Sequence, residues 1–336
     1  MSTDKRPAAV MFDLITRYWH SKAVGVAAKL GIADEIGDGE KTAAEIATAL
    51  GTDPSATERL IRGIAALGLL AQSRPGVYRL TELGQLLRSD GEESMRAYAV
   101  GETEPGHWLT WNNLEYSVRT GNRASPGALG KEMWDYLADN PEEARWFSGG
   151  MSSMGRWVAR DLAASGLVPR GATVADIGGA EGLLASAILH ADPTAQGILL
   201  DLPNVVAASE SVVARTGLAE RMRLVGGDFF KAVPEADVYL LKQVLHDWTD
   251  EQCVTILANC ARSLRPGGRV IIVEFVLPDG DEFSEARMMD LNMLVMLPGR
   301  ERSAAEYEAL LEKAGLKHVA THPTTTAFSL IEARVE

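Results

Sequence analysis

From Gly171 onward, short apolar runs recur between segments of helical spacing, and this alternation leaves few folds open. The runs "ATVADIGG", "AQGILLDLP", "MRLVGGDFF", "ADVYLLKQVLHD" and "RVIIVEFVLP" alternate with helices expected from Leu183, Asn204 and Thr249. Apolar strands that alternate with helices imply an α/β class, with a mostly parallel, doubly wound sheet. In such sheets ligands bind beyond the carboxyl ends of the strands. His246 and Asp247 are expected to terminate one strand, and Asp201, Asp228 and Glu274 to terminate three others.

The turn "DIGGAEG", Asp176 to Gly182, joins the first strand to its helix. Gly178 and Gly179 let backbone approach a ligand without Cβ clashes. The dinucleotide spacing G-x-G-x-x-G is not met, because Ala180 stands at the middle position, so a nucleoside without a pyrophosphate suits this turn better. Asp201 follows at the distance where an acidic side chain accepts from ribose hydroxyls. Asp228 can meet an adenine amino group while Phe229 covers a ring face.

Ahead of this region, "TAAEIATALG" and "SATERLIRGIAALGLL" predict helix, tight turn, helix, and "AQSRPGVYRLTELGQLL" adds two short strands around Pro75 and Gly76. That outline is a winged helix, which raises DNA binding as one reading. Charge argues against it: the chain carries a formal −13, acids and bases balance through residue 90, and the second helix offers only Arg59 and Arg62 beside Glu58. The other reading is a packing or dimerisation domain fed by the apolar first helix around Phe12, Leu14, Ile15, Tyr18 and Trp19.

Trp108, Trp111, Trp134, Trp146 and Trp157 then concentrate in a helical stretch that reads as a connector with an aromatic seam. Cys253 and Cys260 share helical spacing with Ile256 and Leu257, which makes them core thiols rather than metal ligands or a disulfide. No apolar run reaches membrane-spanning length and "MSTDKRPAAV" does not lead into a signal sequence, so a cytoplasmic protein with no membrane or nucleic-acid partner is expected.

In order along the chain, "DIGGAEG", "LLDLPNV", "GGDFF", "LLKQVLHDW", "RPGGRVIIVEF" and "GRERSAAEYEALLEKAGL" resemble the motifs of S-adenosylmethionine-dependent O-methyltransferases of the caffeate and hydroxyindole type. The resemblance spans the whole chain. It implies a winged-helix-like dimerisation domain over residues 1–100, a helical connector contributing to the substrate pocket over 101–165, a methyltransferase domain over 166–336, and a homodimer. It further implies that the Gly178 turn holds the methionine end of the cofactor, Asp201 the ribose, and Asp228 with Phe229 the adenine, and that Lys242 matches a cofactor-contacting lysine.

By the same resemblance His246 is the general base, flanked by Glu274 and Glu301, and Asn292 in "DLNMLVML" lies in a region that faces substrate. Free phenol and free imidazole differ by about 3.5 pKa units, so proton transfer during attack is easier than prior ionisation. Met151, Met293 and Met296 are expected to supply adaptable apolar walls for a small aromatic hydroxylated substrate. Asp247 is expected on the opposite strand face from His246, capping the following helix. No metal is expected, because no carboxylate and histidine cluster shows ligand spacing. A relative that retains the cofactor yet performs decarboxylation or hydroxylation is the alternative, disfavoured by the presence of His246, Glu274 and Glu301. Two departures from the family pattern stand out: Ala180 with Glu181 in the glycine turn, and Pro298 in place of a glycine before "ERS".

Overall fold

The computed structural model describes residues 6–335, so residues 1–5 of the amino-terminal segment considered above lie outside the described residues. The chain forms two compact units, one of Met1–Trp108 with Leu137–Met154 and one of Leu109–Tyr136 with Gly155–Glu336. The helical stretch 101–165 is shared between them. Among the described residues, no helix is long and apolar enough to cross a membrane.

The first unit carries the winged-helix outline. Thr42 opens the helix Ala43–Leu50 with a reciprocal capping box to Glu45, and Gly51 closes it in the left-handed conformation. Asp53 caps the next helix, Pro54–Ala66, whose first residue is proline. The strands Leu70–Arg74 and Val77–Leu80 pair antiparallel, and Lys41–Thr42 adds a third strand. Ala28, Ile32, Ile46, Ile61, Ile64, Leu80 and Val100 form the core between these elements. The long helix Pro7–Leu30 contributes Ala27 and Ala28 to that core, while Phe12, Ile15 and Trp19 stay more than half exposed.

The second unit is built on a mixed sheet whose strands lie in the order Leu316–Pro323, Phe328–Val335, Leu264–Leu277, Ala236–Lys242, Thr173–Ile177, Gln196–Asp201 and Met222–Gly226. The last five are mutually parallel, and the carboxyl-terminal hairpin adds two antiparallel strands at one edge. Val238, Tyr239, Leu240 and Leu241 are fully buried, as expected of a central strand covered on both faces. The sheet order reverses beside Thr173–Ile177, which makes the ends of this strand and of Ala236–Lys242 the natural ligand crevice.

Strand ends differ from the sequence expectation at three places. The strand before His246 stops at Lys242, because Gln243 adopts a left-handed φ of 50° and the 3₁₀ turn Leu245–Asp247 follows. His246 and Asp247 therefore sit on a turn, where the opposite-face rule for strands does not apply. Asp228 lies two residues beyond the strand ending at Gly226, and Glu274 lies inside Leu264–Leu277 rather than at its end.

Asp247 is not a helix cap. The helix Asp250–Ser263 is capped by Thr249, whose hydroxyl accepts from the Gln252 N–H while the Gln252 side chain accepts from the Thr249 N–H. Thr249→Ala should lower stability by about 1 kcal/mol, the usual size of a lost N-cap. Urea unfolding of the variant and the parent would check this, and an unchanged midpoint would show that the box contributes nothing.

Candidate active site

All the groups described next, except Met151, belong to the second unit. After Thr173–Ile177 the chain turns through Gly178 at φ 64° and Gly179. A Cβ on Gly179 would lie 2.5 Å from the Asp176 carboxyl carbon, so the turn tolerates no side chain there. A Cβ on Gly178 would meet Val244 at 3.1 Å and the Phe229 ring at 3.5 Å, which brings three strand ends together at one point. Phe229 packs against Phe230 and Trp248 with ring centroids 4.9 and 6.1 Å away.

Ala180 holds a left-handed φ of 48°, a conformation that costs a residue with a Cβ about 1–2 kcal/mol. Two hydrogen bonds hold it there: its N–H donates to Asp201 Oδ2 at 2.9 Å, and its carbonyl accepts from the Ser209 hydroxyl at 2.6 Å. Asp201 also accepts from the Leu202 N–H at 2.7 Å, and burial pushes its carboxyl above the usual range. Asp228 accepts from the Phe230 N–H at 3.0 Å and meets Lys231 at 3.2 Å. Lys242 donates to Gln243 Oε1 at 2.8 Å, and burial lowers its ammonium to about 8 against the opposing pull of Glu274 and Asp176.

His246 is buried beside two glutamates, but they do different things. Its Nδ1 lies 2.7 Å from Glu301 Oε1, the length of a strong hydrogen bond. Glu274 Oε2 is 3.7 Å from the same nitrogen, too far for one. Glu274 instead accepts through Oε1 from the backbone N–H groups of Val244, Leu245 and His246 at 3.1, 3.0 and 3.4 Å. Glu301 thus orients the ring and Glu274 anchors the turn that carries it. On the other side, His246 Nε2 lies 3.3 Å from Asp247 Oδ1, so Asp247 faces the imidazole.

Burial raises all three acids, Glu301 to about 8 with Asp290 adding to the effect, and Glu274 and Asp247 each to about 7. One ligand atom each from His246, Glu274 and Glu301 lies within 4.8 Å of the others, so a histidine and carboxylate cluster exists that sequence spacing concealed. The 2.7 Å contact is the length of a bond that shares a proton. Donors bound to one zinc at about 2.0–2.2 Å in tetrahedral geometry stand farther apart than that.

Two residues missed by sequence reasoning hold this turn in place. Arg302 is fully buried and donates to the carbonyls of Leu245 and Trp248 at 2.9 and 2.8 Å while pairing with Asp250 at 2.8 Å. Gly299 presses on the turn so closely that a Cβ there would lie 1.8 Å from the His246 carbonyl oxygen. Both stand beside Glu301 in "GRERS", and the single glycine kept next to Pro298 was the available signal. Pro298 itself is exposed, so the substitution falls on the tolerant position of the pair.

The helix Glu285–Met296 carries Asn292 half-buried and Met293 and Met296 buried. Asn292 Oδ1 accepts from the Trp111 indole N–H at 2.7 Å, and Asp290 accepts from the Glu301 N–H at 3.0 Å. Met151 is half-buried and belongs to the first unit. Cys253 and Cys260 are buried free thiols on the helix after the His246 turn.

Comparison with known proteins places this geometry. Residues 111–317 match the model of an O-methyltransferase domain, and residues 12–90 that of an O-methyltransferase dimerisation domain. A phenazine O-methyltransferase from Lysobacter antibioticus is 38% identical over 97% of this chain and 96% of its own. The O-demethylpuromycin-O-methyltransferase of Streptomyces alboniger is 37% identical over 96% of this chain and 88% of its own. The crystal structure of a methyltransferase in calicheamicin biosynthesis, in its S-adenosylhomocysteine-bound form, superposes with a TM-score of 0.87 at 33% identity, covering 99% of this chain and 100% of that one.

The buried acids set a pH dependence. Glu301 ionises near 8 when folded and near 4.5 otherwise, so the folded chain binds more protons between those values. Its contribution to stability is complete below about 4.5 and is lost as pH rises through 8. Thermal unfolding of the ligand-free protein across this window should therefore show the parent losing ground to Glu301→Gln as pH rises. A constant difference between the two would mean that Glu301 does not hold its proton.

Proposed function

The chain belongs to the O-methyltransferase family, whose cofactor is S-adenosylmethionine, and from that premise we propose that it methylates a phenolic hydroxyl of a small aromatic secondary metabolite, with His246 as general base. The observation that carries the base assignment is the 2.7 Å contact between His246 Nδ1 and Glu301. Once Glu301 has given up its proton, its carboxylate accepts from Nδ1–H, and that tautomer leaves Nε2 as the acceptor of the ring. Relatives named for phenazine and O-demethylpuromycin acceptors support an aromatic substrate.

The strand ends fit the cofactor. The turn at Gly178 and Gly179 takes the methionine end, Asp201 the ribose hydroxyls, Asp228 with Phe229 the adenine, and Lys242 completes the site. The supporting observation is steric: a Cβ at Gly178 would approach Phe229 and Val244, so only a bare backbone keeps that space open. When bound, S-adenosylmethionine supplies a methyl group on a cationic sulfur. His246 Nε2 receives the acceptor's hydroxyl proton, and the carboxyl of Glu301 stabilises the imidazolium that forms. Asp247 Oδ1 lies 3.3 Å from Nε2, where a protonated carboxyl donates to that nitrogen until a hydroxyl takes its place.

Met293 and Met296 form apolar walls, and Asn292 contacts the substrate. Residues 1–100 act as the dimerisation domain, with Phe12, Ile15 and Trp19 as the exposed apolar face of the first helix, and two chains assemble through it. Residues 101–165 connect that domain to the methyltransferase domain at 166–336. No metal is required, since His246 supplies the base. The convergence of His246, Glu274 and Glu301 favours transfer over a relative that merely retains the cofactor.

Transfer of labelled methyl into a panel of phenols and hydroxyquinones tests the reading. His246→Ala should lose about 10²–10⁴-fold in kcat while still binding S-adenosylhomocysteine. Glu301→Gln should fall further than Glu274→Gln, because glutamine retains the oxygen that accepts from the turn. Near-parental turnover in folded His246→Ala would remove the base assignment. Gly299→Ala should stay folded and lose about 10²-fold, because its Cβ must push the His246 carbonyl aside. Unchanged activity there would mean that the turn relaxes without moving the ring.

A further inference from the structure

We propose that the acceptor site selects aromatic substrates carrying a hydrogen-bond-accepting atom, a ring nitrogen or carbonyl oxygen, and that Asn292, locked by Trp111, makes the selection. The inference rests on the reading above, in which the helix Glu285–Met296 borders the substrate. Its physical basis is the polarity of one amide. An asparagine offers an oxygen that accepts and a nitrogen that donates, and a free amide can turn to present either.

Asn292 is not free to turn. The indole N–H of Trp111 is a donor only, and at 2.7 Å it points at Asn292, so the atom it meets must be the carbonyl oxygen Oδ1. Chemistry fixes the assignment here without reference to the hydrogen atoms themselves. The amide nitrogen is left on the other side, where it meets the Met289 sulfur at 3.6 Å, a weak acceptor. Flipping the amide would set two N–H donors against each other and leave the indole unsatisfied. Asn292 therefore presents a donor, and a donor rewards an acceptor.

The surroundings sharpen the preference. Met289 and Met296 stand three residues before and four after Asn292, on the same helical face, and Met296 is buried. An apolar wall with one fixed N–H discriminates by hydrogen bonding, because a ligand lacking the acceptor leaves that donor unpaired. The same helix reaches the catalytic turn: Asp290 accepts from the Glu301 N–H, and Glu301 holds His246. A substrate that puts its hydroxyl at His246 and a ring nitrogen or carbonyl at Asn292 is gripped at both ends.

The test uses 2-hydroxyphenazine and 2-hydroxyanthracene, which share a shape and differ in ring nitrogens. Binding of each is measured in the presence of S-adenosylhomocysteine, and methyl transfer from S-adenosylmethionine separately. The parent should bind the phenazine about ten-fold better relative to the anthracene than Asn292→Leu does, and this ratio of ratios cancels the differing acidity of the two phenols. Trp111→Phe, which removes the indole N–H and frees the amide to present either group, should show a preference between those of the parent and Asn292→Leu. An equal preference in parent and Asn292→Leu, or binding of neither probe, would overturn the inference. Transfer that survives His246→Ala would instead overturn the underlying reading, whatever the two variants show.

Discussion

The site depends on one buried carboxylate accepting from a backbone that has left its strand. When Gln243 turns left-handed at the end of Ala236–Lys242, the amides of Val244, Leu245 and His246 lose their place in the sheet. Buried and unpaired, each would cost about 1–3 kcal/mol. Glu274 takes all three on one oxygen, from a neighbouring strand whose pairing of Val273 with Lys242 fixes its height. A histidine can then stand beyond the strand end on a turn whose amides are all paired. Arg302 satisfies the carbonyls of the same turn, so both polarities of its backbone are paired within the second unit.

Much of this was legible in the sequence because the elements obey local rules. Apolar runs of strand length alternate with helices, and Asp201 and Asp228 fall at or just beyond the carboxyl ends where parallel sheets bind ligands, while Glu274 lies within its strand. What was not legible is whatever depends on where a strand stops. "LLKQVLHD" carries no glycine or proline to mark the break, and the left-handed residue is a glutamine whose conformation no propensity anticipates. The error over Asp247 follows directly, since the strand stops at Lys242 and side chains on the turn after it no longer alternate between two faces. The cluster of His246 with Glu274 and Glu301 is hidden for another reason: its members stand 28 and 55 residues apart, and only the fold brings them together.

The two departures from the family pattern show how a local rule can be broken without loss of the arrangement. Ala180 takes a conformation that favours glycine, and the strain is offset by bonds to Asp201 and Ser209 that any residue with a backbone can make. At the other end of the site, steric demand falls wholly on Gly299, which touches the His246 carbonyl, while the exposed neighbour is free to be proline. A pattern of two glycines is thus only half a requirement.

The acids around His246 make sense as a set once their charges are counted. Three carboxyl groups lie near one imidazole, with Lys242 as the cation acting on Glu274 and Asp247, and burial pushes all three toward holding protons. Ionised together they would repel one another in a dry site, where charges interact far more strongly than in water. Kept protonated they are neutral, and each can give up its proton when a positive charge comes near. In the proposed reaction, an imidazolium at His246 and the cofactor's sulfonium are charges of that sign. A cluster that is uncomfortable as three anions would be well matched to the proposed reaction, in which one positive charge passes from the sulfur to the imidazole. On this argument the fold keeps a poised reserve of negative charge around one imidazole, with Glu301 on Nδ1, Asp247 beside Nε2 and Glu274 on the turn that carries the ring.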